Sequence, residues 1–284
     1  MTKEIADKIK KGAVGVLPTD TIYGLCCSAL NPKAVERVYK IKGKPAGFPL
    51  IVLIGSLADL KKFGIKLSPP DAKLLGRLWP NSVSVILPVT DKKALPQFAY
   101  LHRGTRTISF RLPKEKWLSD FLAQTGPLIA TSANIHNQEN ATTIEEAVSY
   151  FGERADFYVD CGKMAGKPST VVILENGELY LLREGAAKLA KNLRYRQVIK
   201  KKTWPELFEA VRTGRKKFDL RLGDFLAEEG DLLILNEWDP KTETYTGRMI
   251  RKKIGYVLRF DPDQYPFAPA EEVKKNGLQI LSLD

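Results

Sequence analysis

Hydrophobic and polar positions over the first two thirds of the chain alternate between short apolar runs and amphipathic stretches. The opening residues, MTKEIADKIKKG, read as an amphipathic helix, and AVGVL (13–17) is an apolar run that stops at Pro18. Asn31-Pro32 is a helix start, with Asn as cap and Pro at the first helical position. Val35, Val38, Tyr39 and Ile41 then keep approximate helical spacing as far as Gly43. PLIVLI (49–54) predicts a buried strand, and Ser56 a cap for a short helix through Leu60. SVSVIL (82–87) and TISF (107–110) predict strands because β-branched residues alternate with small ones, and PLIA (127–130) predicts another. Thr143 to Glu146 fits a capping box ahead of Ala147 and Val148. STVVIL, Asn176-Gly177 and ELYLLR predict a hairpin around an NG turn. The pattern is that of an α/β domain with a mixed sheet.

The remainder follows a different rhythm. Thr203-Trp-Pro-Glu206 caps one helix that ends at Gly214, and Trp204 and Phe208, four apart, favour its core face. FDLRL, DLLILNEW and GRMIRKKIGYVLRF are strand-like and separated by turn-rich pieces such as DPKTETYTG, which predicts a small β-barrel. Charge marks the change of module. Residues 1–187 hold 25 bases and 18 acids, residues 188–217 eleven bases and two acids, and residues 218–284 nine bases and thirteen acids. The expected domains are therefore 1–187 and 188–284.

Composition adds limits. With 284 residues, 44% hydrophobic and 27% charged, the chain is a globular protein with a real core. No apolar run reaches the ~20 residues of a membrane span, and the first residues lack an apolar signal core, so a cytoplasmic protein is expected. Cys26, Cys27, Cys161 and two histidines fit neither a zinc spacing nor a disulfide framework, so no metal ligands are assigned. The formal charge of +12 favours polyanionic partners, nucleotide phosphates or nucleic acid.

Candidate chemistry is scattered. There is no Walker A loop, no strand followed by GxGxxG, no telling carboxylate beside His102 or His136, and no paired-acid motif. What remains is polar residues just after apolar strands, where α/β domains bind ligands. PTDTIYGL (18–25) supplies Thr19, Asp20, Thr21 and Tyr23, which alone would be an ordinary turn and helix cap. Lys40, Lys42 and Lys44 surround a glycine turn, and TSAN (131–134) ends a strand with two hydroxyls and an amide. Arg111 follows one strand and Arg183 ends another, while KPST (167–170) places Lys167, Ser169 and Thr170 at a strand entrance.

In this order, PTDTIYGL, the Asn-Pro helix, KGKP, PLIVLI, the WP turn, FRLP, TSAN, KPSTVV and LLREG resemble the YrdC/TsaC family of L-threonylcarbamoyladenylate synthases, from about Gly12 to Gly185. The resemblance implies a twisted mixed sheet with a concave basic cleft. It also implies a nucleotidyltransferase taking ATP with Mg2+, L-threonine and bicarbonate or CO2. Its product would be threonylcarbamoyl-AMP, with pyrophosphate released, for threonylcarbamoyl-adenosine modification of tRNA. By the same resemblance Thr21, Tyr23, Arg111, Ser132 and Ser169 face the amino acid. Lys42, Lys44, Ser84, Asn134 and Arg183 face ATP, with Lys42, Lys44, Ser132 and Asn134 as the catalytic set. Departures from the family pattern are Lys44 for a common Arg, and Phe48 and Leu53 for a frequent Asn and His. Asn81 opens NSVSV where a Gly-Pro turn is common, with Ser84 in place of a threonine, and Ile135-His136-Asn137 follows TSAN. Residues 193–282 resemble the ASCH/PUA-like barrels through Gly214, Lys216, Asp219, Arg221, Gly230 and Asp231, a fold whose members often bind RNA. Arg194, Arg196, Lys200, Lys201 and Lys202, interleaved with aromatics, are the candidate RNA contacts, for tRNA or a partner of the modification machinery. Two rival readings are a non-catalytic RNA-binding protein and a carbamoyl-adenylating relative of the YrdC-like part of HypF. The second rival lacks its usual acylphosphatase and zinc-finger companions.

Overall fold

The computed structural model describes residues 2–43, 50–221 and 224–259, and the chain divides into two compact units, 1–195 and 196–284. The division lies beyond the expected Lys188. Leu193 is buried in the core of the first unit, with Ala187 and Leu189 packed against it.

The strands of the first unit are β1 (Gly15–Pro18), β2 (Tyr23–Ser28), β3 (Ile51–Leu53), β4 (Val83–Pro88), β5 (Thr107–Arg111), β6 (Leu128–Ser132), β7 (Phe157–Tyr158), β8 (Thr170–Glu175) and β9 (Glu178–Arg183). They form a sheet in the order β9-β8-β4-β5-β3-β6-β2-β1-β7. Pairing is mixed: β3/β5, β4/β8 and β1/β7 are parallel and the other neighbours antiparallel. The helices are α1 (Lys3–Lys10), α2 (Pro32–Lys42), α3 (Pro69–Leu78), α4 (Ala94–Gln97), α5 (Ala99–His102), α6 (Lys116–Thr125) and α7 (Ile144–Phe151).

Local chemistry accounts for the ends of α2. The Asn31 side chain accepts from the Ala34 N–H at 3.1 Å, and Gly43 closes the helix at φ +60°, where a glycine costs least. At α7 Thr143 accepts from the Glu146 N–H, but the Glu146 carboxylate binds the Thr142 N–H at 2.7 Å, one residue short of a closed capping box. The stretch after Ser56 is a 3-10 helix, Leu57–Phe63, and the Asp59 carboxylate accepts from the Gly55 and Ser56 N–H groups.

Strand alternation gives the sheet two different faces. On one, Tyr23, Leu25, Cys27, Val52, Val85, Phe110 and Ile129 join the large core with α2, α3 and α5. On the other, Leu17, Cys26, Leu53, Leu128 and Ala130 are covered by Ala6 and Ile9 of α1 and by Leu118, Phe121 and Leu122 of α6. The register continues that second face into polar positions: Leu53 is opposite Arg111, Ile51 opposite Ser109, and Gly24 opposite Ser132. Two helices thus clothe the apolar part, and the rows beyond it carry small hydroxyls and arginine.

In the second unit, β10 (Arg196–Thr203) runs parallel to β11 (Leu232–Asp239), which pairs antiparallel with β12 (Thr244–Lys253); α8 (Pro205–Arg212) follows β10. Sequence patterning differs here in four respects. Residues 196–203 of the basic segment form a strand, held against the apolar LLIL run of β11. FDLRL forms no strand over its described residues 218–221, and β12 stops at Lys253 rather than running on. Trp204 caps α8 from outside and is 57% exposed, whereas Phe208 is 2% exposed, so only the second of this pair is core. Among the described residues no helix is long and apolar enough to cross a membrane.

Candidate functional site

The turn between β1 and β2 holds three polar side chains in a fixed arrangement. Thr19 Oγ1 lies 3.1 Å from Thr21 Oγ1 and donates to the Ile22 carbonyl at 2.7 Å. Thr21 is buried, and Gly166 lies so close to its carbonyl that a Cβ there would sit at 2.1 Å, which only glycine permits. Asp20 turns to the sheet. Its Oδ1 accepts from Arg111 Nη2 at 2.7 Å and its Oδ2 from Ser82 Oγ at 3.0 Å, with side chains 0% exposed for Asp20 and 4% for Arg111.

Arg111 ends β5, and its Nε is buried without a hydrogen-bond partner. Beside it, Ser84 Oγ and Ser169 Oγ are 2.9 Å apart, and Arg183 Nη2 donates to the Ser169 carbonyl at 2.9 Å. Burial first, and then the charge of Arg111, hold the Arg183 guanidinium below the usual arginine range. Two guanidinium groups, one carboxylate and a row of serine hydroxyls therefore share one region of the sheet, from segments far apart in the chain.

The TSAN segment forms a second cluster. Lys42 Nζ donates to the Ser132 carbonyl at 2.5 Å, the Asn134 carbonyl at 2.8 Å and Asn134 Oδ1 at 2.9 Å. Ser132 Oγ donates to Asn134 Oδ1 at 2.6 Å, and Asn134 Nδ2 to the Gln138 carbonyl at 2.6 Å. This cluster adjoins the β1–β2 turn through the main chain, because Ser132 is registered with Gly24 and the Ala133 N–H donates to the Tyr23 carbonyl.

Two assignments change. Lys42, expected to face phosphates, is 3% exposed and directs its ammonium at three oxygens of the 132–134 turn, as an ammonium with three donors can. Tyr23, expected to face the amino acid, points to the opposite side of the sheet, because β2 begins with it and alternation sends it to the large core. Its hydroxyl donates to Gly162 O at 2.7 Å and accepts from the Cys161 N–H at 2.9 Å. Leu53, noted as a departure, is a packing residue beneath α6. Lys44 and Phe48 lie outside the described residues. Asp20 and Ser82 are the residues that sequence reasoning left without a role. The one available sign was a lone acid inside PTDTIYGL, and its partner Arg111 is 91 positions away.

The candidate RNA contacts are placed as follows. Arg194 belongs to the first unit, and Arg196, Lys200 and Lys202 are exposed on β10. Lys201 stands 3.4 Å over the Phe225 ring and 3.7 Å from Asp224, and Lys202 lies 4.2 Å over the Trp238 ring.

A family model described as telomere recombination, that of Sua5, YciO and YrdC, matches residues 7–185. The chain belongs to the Sua5/YciO/YrdC family. A second model, a domain of unknown function designated DUF3850, matches residues 199–266, so the Sua5/YciO/YrdC unit carries a distinct C-terminal module. A protein of Methanocaldococcus jannaschii named putative threonylcarbamoyl-AMP synthase is 29% identical over 66% of this chain and 89% of its own length. The threonylcarbamoyl-AMP synthase of Pyrococcus abyssi is 30% identical over 64% of this chain, which spans about half (53%) of that relative. Among solved structures, a double variant of P. abyssi Sua5 superposes with a TM-score of 0.61 at 26% identity, covering 75% of this chain and 71% of that one. The twisted mixed sheet is thus the sheet of this family.

Proposed function

We propose that the first unit is an ATP-dependent L-threonylcarbamoyladenylate synthase, joining L-threonine, bicarbonate or CO2 and ATP and releasing pyrophosphate. The observation that carries this reading is the meeting of Arg111 and Arg183 with Asp20, Ser82, Ser84 and Ser169 in one region of the sheet. Membership in a family whose named relatives are threonylcarbamoyl-AMP synthases supports it.

The chemistry asks for orientation more than for a nucleophile. The N-carboxylated amine of threonine must approach the α-phosphorus in line with the departing pyrophosphate. Arg111, whose Nε is unpartnered, would hold the amino-acid carboxylate, and a guanidinium suits a carboxylate geometrically. Thr21 and Ser169 would line the amino-acid side. Arg183, Ser84 and the Ser132–Asn134 turn would meet the nucleotide, with cationic charge matched to that building on pyrophosphate. Lys42 enters as the brace of that turn. Among the described residues no group of three His, Cys, Asp or Glu side chains gathers as a metal site, and the acid nearest, Asp20, is committed to Arg111. Magnesium would accordingly arrive on the triphosphate, where it supplies charge neutralisation. The finer reading extends to a concave basic cleft in this unit, a PUA-like barrel in the second, and delivery of the product to tRNA in the cytoplasm. Exposed Arg196, Lys200 and Lys202 on β10 would make the RNA contact.

The test is pyrophosphate release from Mg-ATP by the full chain. Release that requires both threonine and bicarbonate, with an AMP adduct, is the expected result. Release with carbamoyl phosphate in their place would assign the HypF-like reaction. No release together with salt-sensitive RNA binding would leave an RNA-binding protein.

A further inference from the structure

The charge of Arg111 acts on Arg183, yet their surroundings differ in one respect. Arg111 is paired with a fully buried carboxylate at 2.7 Å, and that carboxylate is fixed on its other oxygen by Ser82. Arg183 has a carbonyl, that of Ser169, as its hydrogen-bond acceptor, and among the described residues no carboxylate forms an ion pair with it. Uncompensated, each guanidinium would attract a polyphosphate, and the more buried one would do so strongly because the local dielectric is low. A site that must hold an amino-acid carboxylate and a triphosphate side by side needs the two cations to be unequal.

We infer that Asp20 is a specificity-determining residue that makes them unequal: by neutralising Arg111 it reserves that subsite for a carboxylate monoanion and leaves Arg183 as the cation for phosphate. The inference rests on the proposed synthase site and adds to it a function for a residue that touches the substrate only through Arg111. Discrimination here comes from weakening the wrong ligand, since a phosphate at Arg111 meets the Asp20 charge across the guanidinium. The pair with Asp20 uses one N–H of the Arg111 guanidinium, which leaves further donors, the unpartnered Nε among them, for a carboxylate.

The prediction is a change in coupling between ligands. Threonine affinity is measured by calorimetry with and without saturating inorganic pyrophosphate, on the full chain, the Asp20→Asn variant and Ser82→Ala. In the unsubstituted protein the two threonine dissociation constants should agree within about twofold, because each anion has its own cation. In Asp20→Asn, pyrophosphate competes for Arg111 and should weaken threonine by about tenfold or more. Should that variant not fold, Ser82→Ala keeps the pair but frees one carboxylate oxygen, and a weakening of about threefold is expected. Asp20→Glu, which restores the charge, should bring the ratio back toward that of the unsubstituted protein. A folded Asp20→Asn whose threonine affinity ignores pyrophosphate overturns the inference, as does an unchanged ratio in Ser82→Ala when Asp20→Asn is unfolded. Pyrophosphate release assayed in parallel separates this from the broader reading. An unsubstituted protein that binds threonine but does not turn over removes the synthase reaction alone, whereas one that binds no threonine removes both.

Discussion

Lys42 and Tyr23 illustrate how a polar side chain can be committed to the protein's own main chain. The Lys42 ammonium donates to three oxygens of the 132–134 turn, two of which also accept from Ser132 Oγ and the Asn134 N–H. In Lys42→Met those oxygens lose a charge-assisted partner, so about 3 kcal/mol of stability should go with it, read as a lower urea midpoint at unchanged slope. Tyr23→Phe removes the hydroxyl that joins β2 to residues 160–162 and should cost about 1–3 kcal/mol, while the threonine KM stays where it was. A raised threonine KM in a folded Tyr23→Phe protein would return that residue to the site. Both roles were illegible along the chain for the same reason. A lysine beside glycine reads as solvated charge, and PTDTIYGL reads as one polar string. Only the strand start at Tyr23 sends its ring away from Thr21. Arg111, Ser169 and Arg183 were legible because each flanks an apolar strand, whereas Asp20 and Ser82 acquire meaning only from contacts across the sheet.

At the level of elements, the apolar runs with β-branched residues and the capped helix α2 could be read directly. Strand β2 could not, because YGLCCS carries small residues and thiols in place of Val or Ile and gains its stability from burial on both faces. Strand β10 was hidden by its lysines, whose stems lie along a sheet while Val198 and Ile199 anchor it to β11. The tie between α2 and the entry to β7 makes a testable element. Arg37 donates two hydrogen bonds to Asp156, which also accepts from the Val14 N–H at 2.7 Å. The Arg37 hydrogen bond chiefly, aided by Val14 and opposed by burial, holds the Asp156 carboxyl below its ordinary value. A depressed carboxyl contributes stability that is complete above the unfolded-state value and is lost as pH falls through the folded one. The pair is about a third exposed, so the contribution is at most about 1 kcal/mol. Arg37→Gln should therefore lower Tm at neutral pH and flatten the fall of Tm on acidification below the usual Asp range. An acid limb of unchanged steepness would assign that stability elsewhere.

On the scale of the whole molecule, the first unit can be watched by itself through its thiols. All three cysteines lie in the first unit, whereas tryptophans occur in both, Trp79 and Trp117 in one and Trp204 and Trp238 in the other. Cys26 and Cys27 are buried, and burial pushes the Cys26 thiol up to about 12, against the pull of the Arg111 charge, and Cys27 higher still. Neither supplies thiolate at pH 8, so a thiol reagent should take up one equivalent at exposed Cys161 and reach the other two only when the first unit opens. Every residue assigned to threonine and ATP lies in that same unit. Ligands that bind only the folded form stabilise what they touch, by about 2.7 kcal/mol at a hundred times the dissociation constant. Threonine with a non-hydrolysable ATP analogue should then move the urea midpoint for exposure of Cys26 and Cys27 upward. The part of the tryptophan transition that belongs to Trp204 and Trp238 should stay in place. Protection of the two thiols by both ligands locates binding in the first unit without any appeal to turnover. A shift seen only in the second unit's tryptophans would instead give the anion site to the C-terminal module, and the arginines of the sheet would need another explanation.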